Sequence, residues 1–253
     1  MPVHHKFLNK NWGNGFQTHN SILDTVPYEP EVIIIGTFNH GWNWNNADFF
    51  YGRGMYMWTI LANMFIHNGN TLTARRTMVN NIPTLDDIFK ICKKGKIVFA
   101  DIVKGTNPHV PTQQEGNSII VNNNYVWDDY GDDHLDIMGA NEWLDDNVEE
   151  IVKYINTTES IKHIYFTFKS GGWLVEKLQS IIAQTPTVTA CSIFTPTGSG
   201  FRQNLPQYPA RAWSLAHCWV WNGLPHENPI NKLGYGHFNH AWLVNNGVNP
   251  GNF

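Results

Sequence analysis

Cysteine is scarce in this 253-residue chain, and its three cysteines, Cys92, Cys191 and Cys218, lie far apart. Their odd number and wide spacing predict reduced, mostly buried thiols rather than a disulfide framework. No pair has the spacing of zinc ligands, so we expect no metal site from them. The chain also lacks long apolar runs and an apolar segment near its N-terminus, and we therefore expect no membrane span and no secretory signal. These absences predict a cytoplasmic protein.

Charge is also sparse, with 15% charged residues and a net charge of −4. Such a balance argues against a protein that coats nucleic acid by bulk electrostatic attraction. It remains compatible with an enzyme that has a local basic rim. The hydrophobic content of 42% excludes a disordered chain and predicts a substantial core.

Aromatic and amide side chains are abundant instead. The chain has 11 Trp, 14 Phe, 9 Tyr and 12 His residues, and asparagine occurs throughout. Aromatic faces stack on planar ligands, and asparagine amides recognise donor and acceptor edges. The alternative is an aromatic core with polar loops, and composition alone favours that alternative.

Alternating strand and helix patterns predict an α/β fold. The predicted strands are 32–35, 97–100, 161–168 and 187–194, and the predicted helices are 84–94, 144–155, 173–182 and 210–221. Thr84 and Asp87 form a capping pair at the start of the first helix, and Gly95 is expected to end it. This order predicts one domain over residues 1–253, a three-layer α/β/α sandwich around a central, mainly parallel four-stranded sheet.

In such sheets, ligands bind beyond the carboxyl ends of the strands. Four predicted loops leave those ends, and each contains polar or glycine residues: 38–51, 101–111, 169–172 and 195–202. We therefore expect the functional site where these loops meet.

The segment 31–58 has the composition of a binding site for a planar ligand. Gly36 allows a tight turn at the strand end, and Phe49, Phe50 and Tyr51 supply stacking faces. The alternative is a rigid surface loop whose aromatic rings pack into the core.

The same segment resembles the first motif of the uracil-DNA glycosylase superfamily, and is most similar to the branch associated with hypoxanthine and other deaminated bases. The resemblance lies in Ile-Ile-Gly-Thr-Phe, then Phe-Phe-Tyr-Gly and Trp58. The strand that ends at Asp101 is similar to that branch's Asp-Val-Val strand end. The loop 195–200 is similar to a Pro-Ser-Thr-Ser motif that grips the DNA backbone. The resemblance extends over residues 31–202.

The resemblance implies a monofunctional DNA glycosylase that needs no cofactor or metal. Such an enzyme flips a nucleotide out of the duplex and hydrolyses its N-glycosidic bond. The implied base-binding residues are Phe38, Phe50, Tyr51 and Lys169. The implied DNA-binding residues are Thr195, Pro196, Thr197, Gly198, Ser199, Gly200 and Arg202. The protein is expected to act on DNA as a monomer.

The catalytic water-holder does not follow directly from the resemblance. Asn39 stands where the family often has proline, and Met55 stands where an asparagine is usual. The candidates within reach are Asp48 and Asn39, followed by His40. Such departures imply a changed substrate, for example the bulky modified cytosines of viral DNA, which would make the protein an antiviral enzyme.

Two other functions remain open from the sequence. A catalytically silent module of the same fold would bind modified DNA without cleaving it, and the missing amide at Met55 suggests it. A small-molecule nucleoside hydrolase would fit the low basic content. The acidic stretch from Asp128 to Asp136 lacks the spacing of a calcium loop and is expected to be a solvated loop.

Overall fold

The computed structural model describes residues 2–43, 45–67, 82–107, 119–121, 124–127, 130–168, 172–193 and 240–248. The strands are β1 (Asn11–Gly13), β2 (Phe16–His19), β3 (Ile22–Thr25), β4 (Val32–Gly36), β5 (Ile97–Asp101), β6 (Val103–Thr106), β7 (Ile119–Val121), β8 (Asn124–Trp127), β9 (Leu144–Asp146), β10 (His163–Phe166) and β11 (Thr189–Ser192). The helices are α1 (Tyr56–Ala62), α2 (Leu85–Gly95), α3 (Asp132–Ala140), α4 (Val148–Thr157), α5 (Trp173–Gln184) and α6 (His240–Asn245). Asn63–His67 forms a π-helical turn after α1.

The fold is mixed α/β around a seven-stranded sheet of order β1-β2-β3-β5-β4-β10-β11. The strands β5, β4, β10 and β11 are parallel, as the sequence patterns predicted. The predicted count of four strands was wrong, because β1, β2 and β3 extend the sheet as an antiparallel meander. Two further pairs, β6 with β9 and β7 with β8, form separate two-stranded sheets.

The antiparallel extension is built from two tight hairpins. Asn14 and Gly15 connect β1 to β2 with φ of 54° and 82°, and Asn20 and Ser21 connect β2 to β3 with φ of 46° and 56°. Positive φ at both central residues is the geometry of a two-residue hairpin turn, which Asn-Gly favours. The Asn-Gly pair was therefore a usable sequence signal for a hairpin that the patterns of longer strands did not reveal.

The centre of the core is aromatic. All five residues of β4 and all five of β5 are buried. The ring of Phe99 in β5 stacks on Phe50 at 5.5 Å and 19°, and Phe49 and Trp58 lie 5.7 and 5.5 Å from it. Such ring pairs stabilise a core beyond the area that they bury. The loop after β4 is thereby fixed onto the sheet by its own aromatic residues.

Helix α2 begins with the capping box that the sequence predicted. The Thr84 hydroxyl accepts a hydrogen bond from the Asp87 backbone at 3.2 Å, and the Asp87 carboxylate accepts one from the Thr84 backbone at 3.1 Å. The helix ends one residue later than predicted, because Gly95 is its last residue and Lys96 takes the left-handed conformation at φ 52°.

Replacing Thr84 with alanine is expected to lower the free energy of unfolding by about 1 kcal/mol, because a side-chain cap at an otherwise unpaired backbone N–H is lost. Urea unfolding measures this change. Thr25→Ala, at an exposed strand end, is the control and should change stability by less than about 0.5 kcal/mol. Equal stabilities of the two variants would contradict the capping role.

One predicted helix began too early. Residues 144–155 were predicted to be helical, but Leu144–Asp146 is a strand that pairs with β6, and the helix starts at Val148. The Asp146 side chain accepts the Val148 backbone N–H at 3.1 Å, which ends the strand and starts the helix. Local apolar spacing could not reveal this pairing with a distant strand. The predicted helix 210–221 lies outside the described residues.

The chain order in the sheet places a crevice at one edge. From β4 the chain passes to β5 on one side, and it later returns to β10 on the other side of β4. Loops that leave the carboxyl ends of neighbouring strands diverge at such a reversal and leave room for a ligand. No helix among the described residues is long and apolar enough to cross a membrane.

Candidate functional site

A cavity of about 520 Å³ lies at the carboxyl ends of β4 and β5. This volume is in the range of small-molecule sites, which are mostly apolar with a few placed polar groups. The lining residues are Thr37, Phe38, Asn39, His40, Asn45, Ala47, Tyr51, Gly52, Met55, Asp101, Tyr130 and Gly131. The cavity therefore lies where the sequence analysis expected a site.

Asp101, the last residue of β5, provides the carboxylate of the cavity and is only 1% exposed. Two side chains donate hydrogen bonds to its Oδ2 atom: His5 Nε2 at 2.8 Å and Asn39 Nδ2 at 2.6 Å. The other oxygen, Oδ1, is buried and accepts no hydrogen bond from the described residues. An unpaired buried carboxylate oxygen is costly, so a donor such as water or a ligand hydroxyl would bind it favourably.

The imidazole of His5 has one defined tautomer. The backbone N–H of Phe7 donates to Nδ1 at 3.0 Å, so this nitrogen carries a lone pair. The proton of the neutral ring is therefore on Nε2, the atom that faces Asp101. The ring is 3% exposed and packs against Phe7, Phe38 and Phe50, at centroid distances of 5.8, 6.1 and 6.0 Å.

The segment 2–7 carries His5 into the site. It lies between β6 and the loop after β4, where the His5 N–H donates to the Lys104 carbonyl and the Lys6 N–H donates to the Asn39 carbonyl, both at 2.7 Å. Glycines allow this close approach: a Cβ on Gly41 would lie 2.7 Å from the His4 carbonyl oxygen, and one on Gly105 2.8 Å from that of Val3. Backbone contacts on both sides therefore fix this segment.

Tyr51 forms another wall of the cavity from a strained position. Its φ is 53°, in the left-handed region that residues other than glycine rarely adopt. Trp58 Nε1 donates to the Tyr51 carbonyl at 2.7 Å, and the Tyr51 hydroxyl lies 3.3 Å from Thr167 Oγ1. Burial, and then the charge of Asp101, raise the pKa of Tyr51 well above 10. Its hydroxyl is consequently neutral and available as a donor.

The end of β4 has no space for a side chain. A Cβ on Gly36 would lie 2.5 Å from Asp101 Oδ1 and 2.6 Å from the Tyr51 hydroxyl oxygen. These distances show that Asp101 Oδ1 and the Tyr51 hydroxyl lie at the same strand end. Gly36 is therefore required by packing at the site, in addition to the tight turn that the sequence analysis assigned to it.

Two further rings border the cavity. Phe38 is half-buried and meets Tyr130 edge-on, with 5.3 Å between ring centroids. The Tyr130 hydroxyl accepts a hydrogen bond from Trp42 Nε1 at 2.9 Å. The partly exposed ring of Phe38 beside a cavity of this size suits the face of a planar heterocycle.

His40 also lines the cavity and is buried, with 7% exposure. Burial is the main cause that lowers the pKa of His40 to about 4, and the neighbouring Lys6 and His5 side chains lower it further. The ring is therefore neutral at neutral pH. Its centroid lies 5.1 Å from that of Tyr130.

This shift predicts a dependence of stability on pH. An unfolded histidine titrates near pH 6.5, so between pH 6.5 and 4 the unfolded chain binds a proton that the folded protein resists. Stability is therefore full above that range and is lost as the pH falls through it. Between pH 7 and pH 4.5, urea unfolding should show wild type losing up to about 2 kcal/mol more than His40→Phe. If the free energy of unfolding changed with pH to the same extent in both proteins, the lowered pKa of His40 would be contradicted.

Asp132, the first residue of α3, lies next to the cavity-lining residue Gly131. The Asp132 carboxylate accepts a hydrogen bond from the Thr37 hydroxyl. Burial of this carboxyl group, and then the charges of three nearby aspartates, raise the pKa of Asp132, although the residue as a whole remains exposed. Those aspartates are Asp136, Asp133 and Asp101.

Asp136 has a structural role in the acidic stretch. Its carboxylate accepts hydrogen bonds from the backbone N–H groups of Gly172 and Leu174, at 2.9 and 2.7 Å. An acidic side chain at the first turn of α5 satisfies free donors and complements the helix dipole. Within the described part of the chain, no three His, Cys, Asp or Glu side chains form a group that could hold a metal ion.

The cavity contains four of the site residues proposed from the sequence: Asn39, His40, Phe38 and Tyr51. Lys169 and the predicted DNA-binding residues lie outside the described residues. The latter are Thr195, Pro196, Thr197, Gly198, Ser199, Gly200 and Arg202.

Two proposed site residues lie elsewhere. Phe50 is 0% exposed and packs in the core, so its ring offers no free face to a ligand. The Asp48 side chain is 45% exposed, accepts hydrogen bonds from Arg53 Nε at 2.8 and 3.0 Å, and does not line the cavity. Neither side chain therefore lines the cavity.

Asp101, His5 and Tyr130 line or support the cavity but were not among the site residues predicted from the sequence. Asp101 carried a usable signal, because an acidic residue directly after a buried strand lies at the ligand-binding edge of a parallel sheet. His5 had no local signal, since its partner is 96 residues away in the chain.

Comparison of the chain with protein-family models, with curated proteins and with solved structures gives no match. The function is therefore inferred from the cavity and from the sequence motifs around it.

Proposed function

We propose that the protein is a DNA glycosylase, which hydrolyses the N-glycosidic bond of a modified or deaminated nucleotide and leaves an abasic site. The observation that carries the proposal is the buried Asp101 carboxylate, whose Oδ1 atom accepts no hydrogen bond from the described residues at the edge of an aromatic cavity. A carboxylate can stabilise the positive charge that develops on the sugar, and aromatic rings can stack on the departing base. Asp101, Phe38 and Tyr51, which line the cavity, therefore support the proposal.

In the proposed reaction, the bond between C1′ and the base nitrogen breaks, and its electron pair stays on the base. A positive charge develops on the sugar, and the Asp101 carboxylate stabilises it. A water molecule donates a hydrogen bond to Oδ1, and its oxygen forms the new bond to C1′. Asp101 accepts the water proton and releases it to solvent, and the base anion takes up a proton from solvent.

The base would stack in the cavity between partly exposed rings. Phe38 and Tyr51 replace Phe50 in this role, because Phe50 has no exposed surface. The neutral His40 and Tyr51 add polar groups without adding charge, which suits an uncharged heterocycle. Asn39 contributes to catalysis by donating to Asp101.

The proposal that the substrate is DNA rests on the sequence resemblance. The segment 195–200 has the Thr, Pro, Gly and Ser composition that offers backbone N–H groups to phosphates, and Arg202 adds a positive charge. We also infer that the enzyme works as a cytoplasmic monomer with a three-layer arrangement of helices and sheet. Modified cytosines of viral DNA remain the proposed substrates in a defence role.

A nucleoside hydrolase is the second candidate, and the acidic residues beside the cavity favour it. Asp132 and Asp133 lie at the start of α3, where negative charge repels a phosphate backbone but not an uncharged nucleoside. A silent binding module of the same fold is the third candidate, which the missing amide at Met55 suggests.

One experiment separates these functions. The protein is incubated with DNA that contains uracil, hypoxanthine or hypermodified cytosine, and in parallel with the matching free nucleosides. Abasic sites are detected with an aldehyde-reactive probe, and free bases by mass spectrometry. We expect abasic sites in at least one DNA. Release from nucleosides alone would select the second candidate, and binding without release would select the silent module.

A further inference from the structure

We propose that His5 is a positioning residue, which holds Asp101 so that Oδ1 is the oxygen presented to the reacting water. The proposal rests on the proposed function, and it adds a residue from the N-terminal segment to the site. The two hydrogen bonds that the carboxylate receives from His5 and Asn39 both end on Oδ2. They leave Oδ1 without a hydrogen bond from any residue that the structure describes.

The hydrogen bonds of His5 restrict it to this role. Its Nε2 donates to Asp101, and its Nδ1 accepts the backbone N–H of Phe7 at 3.0 Å. Accepting a second proton at Nδ1 would break the bond to Phe7 inside a buried segment. His5 therefore orients the carboxylate as a neutral donor and does not itself transfer a proton during the reaction.

The surroundings of His5 make its position rigid. Aromatic rings of Phe7, Phe38 and Phe50 pack around the imidazole, and its side chain is fully buried. Backbone hydrogen bonds on both sides fix the segment that carries it. Rigid support of this kind is required because a displacement of about 1 Å in a reacting group costs about 100-fold in rate.

A purely structural role of His5 makes a different prediction. In that case the side chain would only stabilise the packing of segment 2–7, and its loss would lower stability without a specific effect on the chemical step. Three measurements distinguish the positioning role from the structural role. They are the separate effects on kcat and KM, the activity of a conservative variant, and the effect of the substitution in an Asp101 variant.

His5→Phe retains an aromatic ring but removes the donor to Asp101. We expect kcat to fall about 10- to 100-fold, the loss for one hydrogen bond to a charged group, with KM within about twofold of wild type. His5→Gln carries an amide N–H near the position of Nε2 and should recover most of kcat. The control is His19→Phe, which removes an exposed histidine paired with Asp24 at 2.7 Å and should leave both constants unchanged.

Coupling to Asp101 gives the second readout. If His5 acts only through this carboxylate, His5→Phe should cause no further loss in an Asp101→Asn background under single-turnover conditions. Multiplicative losses in the double variant would overturn the proposal. So would a folded His5→Gln that is as slow as His5→Phe, or a His5→Phe with the kcat of wild type.

A spectroscopic measurement tests the geometry without any substrate. In ¹⁵N spectra of the imidazole groups, His5 of the wild-type protein should be protonated at Nε2 and unprotonated at Nδ1. The opposite tautomer would overturn the proposal even if His5→Phe failed to fold. If the wild-type protein releases no base from any substrate, the proposed function fails, and the tautomer still decides whether His5 orients Asp101.

Discussion

Replacing Asp101 with asparagine is expected to lower the rate of base release by about 10²- to 10⁴-fold, the range for removal of a positioned general base. Asparagine has nearly the same shape, so the hydrogen bond from His5 can still be accepted by its carbonyl oxygen. It has no negative charge to stabilise the sugar and cannot take the proton of the water. Single-turnover kinetics on a DNA substrate would measure the effect, with thermal unfolding as the test of intact structure.

Two other aspartates serve as comparisons for this variant. Asp24→Asn removes the exposed carboxylate that pairs with His19, and should leave the rate within about twofold of wild type. Asp48→Asn tests the sequence-based choice of water-holder, and its exposed ion pair with Arg53 predicts a similarly small effect. A large loss in Asp48→Asn together with a normal rate in Asp101→Asn would reverse the two assignments.

Gly36→Ala is expected to have the second largest effect on the rate of base release. The added methyl group would lie 2.5 Å from Asp101 Oδ1 and 2.6 Å from the Tyr51 hydroxyl oxygen, well inside normal contact distance. Both groups must move, and Asp101 is held by two hydrogen bonds while Tyr51 is held by its backbone. We expect a rate loss of about 100-fold, with a destabilisation of about 1–3 kcal/mol from overpacking.

A matched control for this variant lies in the loop that follows. Gly54→Ala would bring its methyl group only to 3.9 Å from Ile82, which is an ordinary contact. It should leave stability within about 0.5 kcal/mol and the rate nearly unchanged. Base release by Gly36→Ala at the rate of Gly54→Ala would show that the strand end tolerates a side chain, and would contradict the site geometry.

The parallel half of the sheet was predictable because its signals are local. The continuous apolar, β-branched run of β4 is typical of a strand buried on both faces. The Thr84 capping box marks a helix start without any tertiary information. The antiparallel extension was missed because β1, β2 and β3 are three or four residues long. Strands of that length give too few alternations for a reliable pattern.

The site was predictable in position but only partly in composition. Adjacent aromatic residues in the loop take opposite roles: Phe50 completes the core, while Tyr51 turns into the cavity through a left-handed backbone conformation. Sequence alone does not show which of two adjacent rings will face the core and which will face the cavity. The pairing of His5 with Asp101 depends on where the fold places residues 2–7. No local sequence pattern indicates that position.

The most direct test of the central claim is the count of abasic sites formed by wild type and by Asp101→Asn on the same DNA panel. Wild type should generate abasic sites in at least one DNA of the panel, and Asp101→Asn should reduce their rate of formation at least 100-fold while remaining folded. No abasic sites from wild type on any panel DNA, or equal rates from the two proteins, would contradict the account.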